Sequence, residues 1–377
     1  MAYVSYTNLT TANEVLEAMV DYITSLSYVI IQPLVDDLNI YDRASSDGKK
    51  FVFQNKDGGY FILLRSVNGT QVFGTTNDSA MDIATPETNV HYTGVAMTVS
   101  EGYSRTARWY NQFRVPKAKG GIKVYGVFMP VDESRNFTYT LYCNNISEPS
   151  DTITFSLVKD NDTYMQHSHL CYADVHKYDL WEGGAFFTGS CPISMMANAY
   201  RCYDHTQTAD QYILPVFSSG TVSNSFLRID IDEAPLVSRG EIHWASSGTA
   251  NETGKKLALP VRTGDNMNGK IPHYYYLQST GRLDWGKNIC TLNAITINMP
   301  IFLAVMVDPD ILDNYAAVGH ITGAYFVSNL NMQTGHVYEI SYPESNKLCQ
   351  VFSIRGKRRG ANGFDGLSIQ QFLDDEE

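Results

Sequence analysis

The sequence predicts a mainly β protein, built of β-sandwich or partly closed barrel domains with one N-terminal helix. Apolar residues recur at every second position in many short runs, and Gly, Asn, Asp and Pro punctuate the chain between those runs. Helical spacing occurs clearly in only one segment. Many short strands with one helix fit a sandwich or an open barrel.

The helix comes first. Thr11-Ala-Asn-Glu14 has the form of a capping box, in which the Thr hydroxyl takes a free backbone N–H and the Glu reaches back. Val15, Leu16, Met19, Val20, Ile23 and Leu26 then recur at helical spacing, so the helix is expected to cover a sheet and to end near Ser27. Lys50 to Arg65 reads as a hairpin turning at Lys56-Asp57-Gly58-Gly59, with a further turn at Asn68-Gly69. His91–Val99 and Ile122–Met129 are further strands. Between them lies a long ordered loop, Glu101 to Gly121, rich in Arg and aromatic residues. Asn136–Cys143 and Asp151–Val158 alternate cleanly and flank a turn. Trp181–Gly189 is a strand entered through glycines. Ile295–Val307 is an apolar strand bent at Pro300, and 319–327, 335–341 and 348–354 form a meander. These breaks divide the chain into a helix-capped β domain (1–130), a sandwich-like domain (131–245) and a C-terminal β domain (246–377).

Composition limits the function. The 377 residues carry 28 Lys plus Arg against 40 Asp plus Glu, a net charge of −12, yet only 18% of residues are charged and 44% are hydrophobic. Such a chain is too apolar for disorder and too acidic to bind nucleic acid directly by counterion release. Its apolar runs are too short for membrane insertion, and its start lacks the basic and apolar regions of a signal peptide. The six cysteines form no Cys-x-x-Cys pair and are expected to be reduced thiols. No Gly-x-Ser-x-Gly, Walker, His-Glu-x-x-His or dinucleotide motif occurs, so no enzyme and no cofactor is predicted.

Three groups of side chains are candidates for chemistry or binding. His167, His169 and Cys171 project from one face of a strand, with His176 nearby, and two imidazoles with a thiolate are metal ligands. The plainer reading, ordinary surface histidines on a half-exposed strand, outweighs a metal there. Asp230-Ile-Asp232-Glu233 reads as a solvated strand edge rather than a calcium site. Arg355, Lys357, Arg358 and Arg359 form the one dense basic run, at the tip of a long hairpin, and read equally as a solvated turn or as a socket for an acidic neighbour such as an identical subunit. Arg105, Arg108, Trp109 and Tyr110 in the long loop are interface candidates of the same kind, and Tyr-rich stretches such as His273–Tyr276 suit subunit packing or sugar stacking.

The order of motifs resembles a diffuse group of virion structural proteins of tailed bacteriophages, found among head-completion, neck and tail components. It is carried by the Phe51–Phe61 hairpin, Val95-Ala-Met-Thr-Val-Ser-Glu-Gly-Tyr103 with Trp109-Tyr-Asn-Gln112, Asp151-Thr-Ile-Thr-Phe155, His169-Leu-Cys-Tyr-Ala173, Lys177-Tyr-x-x-Trp-x-Gly-Gly184, and Gly319–Val327 with the strands after it. The likeness spans most of the chain as a pattern of strands and turns. It implies a neck, tail or baseplate subunit that forms a symmetric multimer, is made in the host cytoplasm and resides in the virion. Its partners would be identical subunits and other virion structural proteins. The alternative is a receptor- or carbohydrate-binding module of an adhesion device, with a host-surface glycan as partner.

Overall fold

A computed structural model describes residues 3–36, 48–68, 93–107, 112–116, 126–131, 133, 136–147, 150–160, 167–192, 218–219, 225–230, 244–246, 254–258, 261–262, 299–308, 314–328, 337–341, 346–353 and 367–373. The first half holds β1 (Tyr3–Leu9), α1 (Ala12–Ser25), β2 (Val29–Asp36), β3 (Lys49–Gln54), β4 (Phe61–Asn68), β5 (Thr93–Ser100), β6 (Val127–Pro130), β7 (Tyr139–Ile146), β8 (Thr152–Lys159), β9 (His167–Asp174), β10 (His176–Lys177), β11 (Glu182–Gly189) and β12 (Cys191–Pro192). The second half holds β13 (Ser218–Ser219), β14 (Ser225–Asp230), β15 (Trp244–Ser246), β16 (Gly254–Ala258), β17 (Val261–Arg262), β18 (Met299–Asp308), β19 (Asn314–Ser328), β20 (Val337–Ser341), β21 (Asn346–Ser353) and β22 (Leu367–Leu373). Among the described residues the protein is mainly β with one helix, as the alternation predicts, and its sheets are stacked rather than closed into a barrel.

The helix is set by its own first turn. Glu14 N–H donates to Thr11 Oγ1 at 3.1 Å, and Glu14 Oε2 accepts from Thr11 N–H at 3.2 Å and Thr10 N–H at 2.7 Å. Glu14 is thereby held below the ordinary carboxylate range, chiefly by the Thr10 N–H. The helix stops at Ser25, slightly before the expected end, because Leu26 is extended and turns its N–H back to the Ile23 carbonyl. The expected hairpin forms with Lys50 opposite Arg65 and Gln54 opposite Phe61. Its turn is closed by Asn55, whose Oδ1 accepts from Tyr60 N–H at 2.7 Å.

Two large sheets account for most strands. The six-stranded sheet runs β12-β6-β5-β4-β3-β2 and is antiparallel throughout. The fourteen-stranded sheet runs β1-β7-β8-β9-β11-β14-β15-β16-β18-β19-β22-β21-β20, with β10 attached to β19. Its one parallel pairing, β15 with β16, joins the strands before residue 246 to those after it. Among the last strands the expected meander is interrupted: β22 lies between β19 and β21, and β20 pairs only with β21. The fifteen-residue β19 offers a long hydrogen-bonding edge beyond its pairing with β18, and Leu367–Gln371 satisfies Ala324–Ser328 of it.

Side chains of successive residues in the middle strands enter different cores. Leu170, Tyr172, Phe187 and Phe226 join a core with α1 residues Val15, Leu16, Met19, Tyr22 and Ile23 and six-stranded-sheet residues such as Phe53, Ile62 and Met97. Cys171, Ala173, Phe186 and Leu227 join a second core with Ile301, Leu303, Val305, Ile321 and Ala324 of β18 and β19. The large sheet therefore folds over itself, and β9, β11 and β14 form a middle layer covered on both faces. Register shifts at Pro300/Ile301, Leu303/Ala304 and Met306/Asp308 bend β18 where the sheet turns.

Close strand approach fixes one glycine. Gly183 has φ 106°, and a Cβ there would lie 2.3 Å from the Arg228 carbonyl oxygen of the neighbouring strand. Gly183→Ala is therefore expected to lower unfolding free energy by about 2 kcal/mol or more, read by urea titration. A change within about 0.5 kcal/mol, the usual surface range, would contradict this account.

Candidate functional site

The long loop after β5 is the best-defined candidate surface. Its two described ends, 101–107 and 112–116, are tied into one unit by Gln112. Gln112 Oε1 accepts from Ser104 N–H at 2.8 Å, and its amide nitrogen donates to the carbonyls of Ser104 and Ala107, both at 2.9 Å. Glu101 N–H donates to the Phe113 carbonyl, and Gly102 bridges Phe113.

Charge anchors this unit to the middle layer. The buried guanidinium of Arg228 on β14 donates from Nε to Glu101 and from Nη2 to Asp230 Oδ2 at 2.7 Å. Burial opposes its charge, but the hydrogen bonds to Asp230 and Glu101 outweigh burial and raise its pKa. Arg114 Nη1 reaches the other Glu101 oxygen at 2.8 Å, and the Arg114 carbonyl accepts from Trp244 Nε1 at 3.1 Å. Arg114 itself is left-handed, φ 55°. What the anchored loop presents is Phe113, 59% exposed, with the Arg114 guanidinium 5.1 Å from its ring centre.

The predicted interface residues divide. Arg105 is on this loop, exposed, with Nη2 3.4 Å from the Ile31 carbonyl of edge strand β2. Arg108, Trp109 and Tyr110 lie outside the described residues, as do Arg355, Lys357, Arg358 and Arg359 and the stretch His273–Tyr276. The strands on either side of the basic run, β21 and β22, do pair as a hairpin.

The metal candidates sit in the middle layer. His167 opens β9 opposite Val158, and its side chain lies outside the description. His169 is not a surface residue but a buried one, its Nδ1 2.9 Å from Ser156 Oγ on β8. The half-exposed strand expected from period two is buried because cores lie on both its faces. Cys171 is enclosed in the second core, where burial pushes the thiol up and keeps its proton. Among the described residues no three His, Cys, Asp or Glu side chains gather as a metal centre. Asp230 ends β14 opposite Glu182 of β11, past the last β15 pairing at Arg228, and is half-buried. It is a partner of Arg228; Asp232 and Glu233 lie outside the described residues.

A second polar cluster has no counterpart in the sequence reading. Where the β3–β4 turn meets β8 and β9, Tyr28 Oη donates to Asp151 Oδ2 at 2.6 Å, and Asn145 Nδ2 donates to Asp151 Oδ1 at 2.8 Å. Lys56 Nζ lies 2.9 Å from Asn145 Oδ1 and 3.5 Å from Asp151 Oδ1. Tyr172 Oη donates to Asp174 Oδ1 at 2.6 Å, and the Asn55 amide lies 3.3 Å from Asp174 Oδ2. Burial raises the Asp174 carboxyl to about 6, the Tyr172 and Asn55 hydrogen bonds oppose that, and the nearby charges of Asp151 and Asp57 add to it. Tyr28–Asp151 and Asn55–Asp174 join residues 123 and 119 positions apart, and no local spacing signals them.

No protein-family model matches this chain, and no curated protein matches it closely enough to count as a relative.

Two outcomes follow from these clusters. Arg228→Met is expected to leave partly buried Glu101 with Arg114 as its remaining ion-pair partner, costing about 1–3 kcal/mol and loosening the tie between β14 and the loop; limited proteolysis with mass spectrometry is expected to show new cleavage within 101–116. For Asp174 the folded pKa lies above the unfolded value. The folded state then binds the extra proton, and stability falls as pH rises from about 4 to about 6, by on the order of 1–3 kcal/mol. Asp174→Asn is expected to flatten that slope in denaturant titrations across the window.

Proposed function

We propose that the protein is a non-enzymatic structural subunit of a tailed-phage virion, a neck, tail or baseplate component that assembles with copies of itself and with other virion proteins. The observation that carries this reading is the character of the sheet edges. Among the described residues β1 is paired only through β7, β20 only through β21 and β2 only through β3. Proteins that stay monomeric commonly blunt such edges with Lys or other charges. β1, Tyr-Val-Ser-Tyr-Thr-Asn-Leu, carries no charge at all, and β20 carries only Glu339. β2 has its one charge at the terminal Asp36, although Pro33 interrupts its donors. Uncharged edges favour strand addition between subunits, in which backbone hydrogen bonds supply affinity and alternate side chains supply register. The resemblance of the sequence to phage structural proteins supports the same reading, as does the low share of charged residues in the chain.

A carbohydrate- or receptor-binding role is the second reading, and the rigid presentation of Phe113 favours it. An exposed ring beside a guanidinium on an anchored loop suits stacking against a sugar face.

Mass photometry of the purified chain is expected to show a discrete multimer. Ser5→Lys with Thr7→Lys on β1 is expected to shift it to monomer while circular dichroism stays unchanged. A wild-type monomer at all concentrations, together with absence of the chain from purified particles by mass spectrometry, rejects the structural role. Glycan-array binding lost in Phe113→Ala decides for the second reading.

A further inference from the structure

The two-residue strand β10 is clipped across β19 with His176 directly opposite His320. The clip is tightly fixed. Tyr178 N–H and Trp181 Nε1 both donate to the Val318 carbonyl at 3.1 Å. Gly319 permits the approach, since a Cβ there would lie 2.4 Å from the His176 carbonyl oxygen. The two imidazole centroids are 4.7 Å apart, with planes inclined at 46°. Both rings are half-buried, at a surface also formed by exposed Tyr178 and the ring of Phe302, 6.3 Å from His320.

Tyr178 Oη lies 3.0 Å from His320 Nδ1. When Nδ1–H donates to that oxygen, the ring lone pair stands on Nε2, and an outer oxygen partner of this kind orients a metal-binding histidine. The charged groups on the same turn are engaged elsewhere. Lys177 Nζ donates to the Trp181 carbonyl at 3.1 Å and lies 4.7 Å from the Trp181 ring centre, and Asp179 accepts from Leu180 N–H at 2.7 Å.

We propose that His176 and His320 form a surface site for a borderline divalent transition ion, Zn²⁺, Ni²⁺ or Cu²⁺, with Tyr178 orienting His320. Two imidazoles at this spacing reach one ion, and water fills the remaining positions. Nitrogen ligands select these ions over Ca²⁺ and Mg²⁺, which want oxygen. The site lies on the turn between β9 and β11, away from the His167–Cys171 run that the sequence singles out. It is independent of the assembly role proposed above.

Calorimetric titration of the full chain with NiCl₂ and with ZnCl₂ at pH 7.5 tests it. One equivalent is expected to bind, and to weaken by about tenfold or more at pH 5.5, where protons compete for the imidazoles. His176→Gln and His320→Gln are each expected to abolish that equivalent. Tyr178→Phe is expected to weaken it by about tenfold, the usual effect of losing an outer-shell partner. His169→Gln is expected to leave it intact. In wild-type protein, substoichiometric Cu²⁺ is expected to broaden the imidazole NMR signals of His176 and His320 first, a readout that needs no variant. Absence of binding by the wild type, or an equivalent that survives in both Gln variants, overturns the proposal.

Discussion

Everything in this fold depends on a sheet that is buried from both sides. A strand with one wet face can keep polar side chains at alternate positions, but β11 and β14 have no wet face over most of their length. Each pair of successive residues, Phe186 with Phe187 or Phe226 with Leu227, supplies both cores at once. The stacked Phe187 and Phe226 rings, with centroids 5.0 Å apart, and Trp244 edge-on to Phe187, close one side of this layer. One helix packs on the six-stranded sheet and also meets β1, β7 and β8 of the large sheet, and the other layer contacts among the described residues are sheet on sheet.

Sheet-on-sheet packing is non-directional, so polar groups set the register between layers. Arg228 ties β14 to the loop after β5, and the Tyr28–Asp151 and Asn55–Asp174 contacts tie the six-stranded sheet to β8 and β9. Each is partly or wholly buried and hydrogen-bonded, the condition under which a buried polar group fixes one arrangement without a net penalty. The same anchoring holds residues 101–107 and 112–116 together as one surface.

What was legible in the sequence was local. Thr11 and Glu14 announce the helix because a capping box acts over three residues, and Lys50–Arg65 announces a hairpin because its turn lies between its strands. Most strands between 93 and 189 were visible for the same reason. The layering was not. His169 lies on a strand whose alternation reads as half-exposed, yet it is buried, on the face whose next residues Cys171 and Ala173 enter the second core. Likewise Asp230 reads as a free acid until Arg228, two residues earlier on the same face, is found turned toward Glu101 across 127 positions of chain. Arg105 was legible as a surface residue of the loop; the anchor that holds the loop was not, because no pattern within a strand reports which distant strand lies beside it.

The placement of β22 bears on how the chain is made. During synthesis β19 emerges before β20 and β21, yet its open edge belongs to a strand that follows all of them. From Ser328 to Leu367 the ribosome adds 367 − 328 = 39 residues while that edge stays bare. The β20–β21 hairpin is complete in that interval and can occupy the edge in the wrong order. Closing the sheet correctly then requires the hairpin to stand aside until Leu367–Leu373 slots between β19 and β21. Non-local closure of this kind is slow and leaves an aggregation-prone intermediate, so the yield of folded protein is governed by the emergence of β22 rather than by the first core to form.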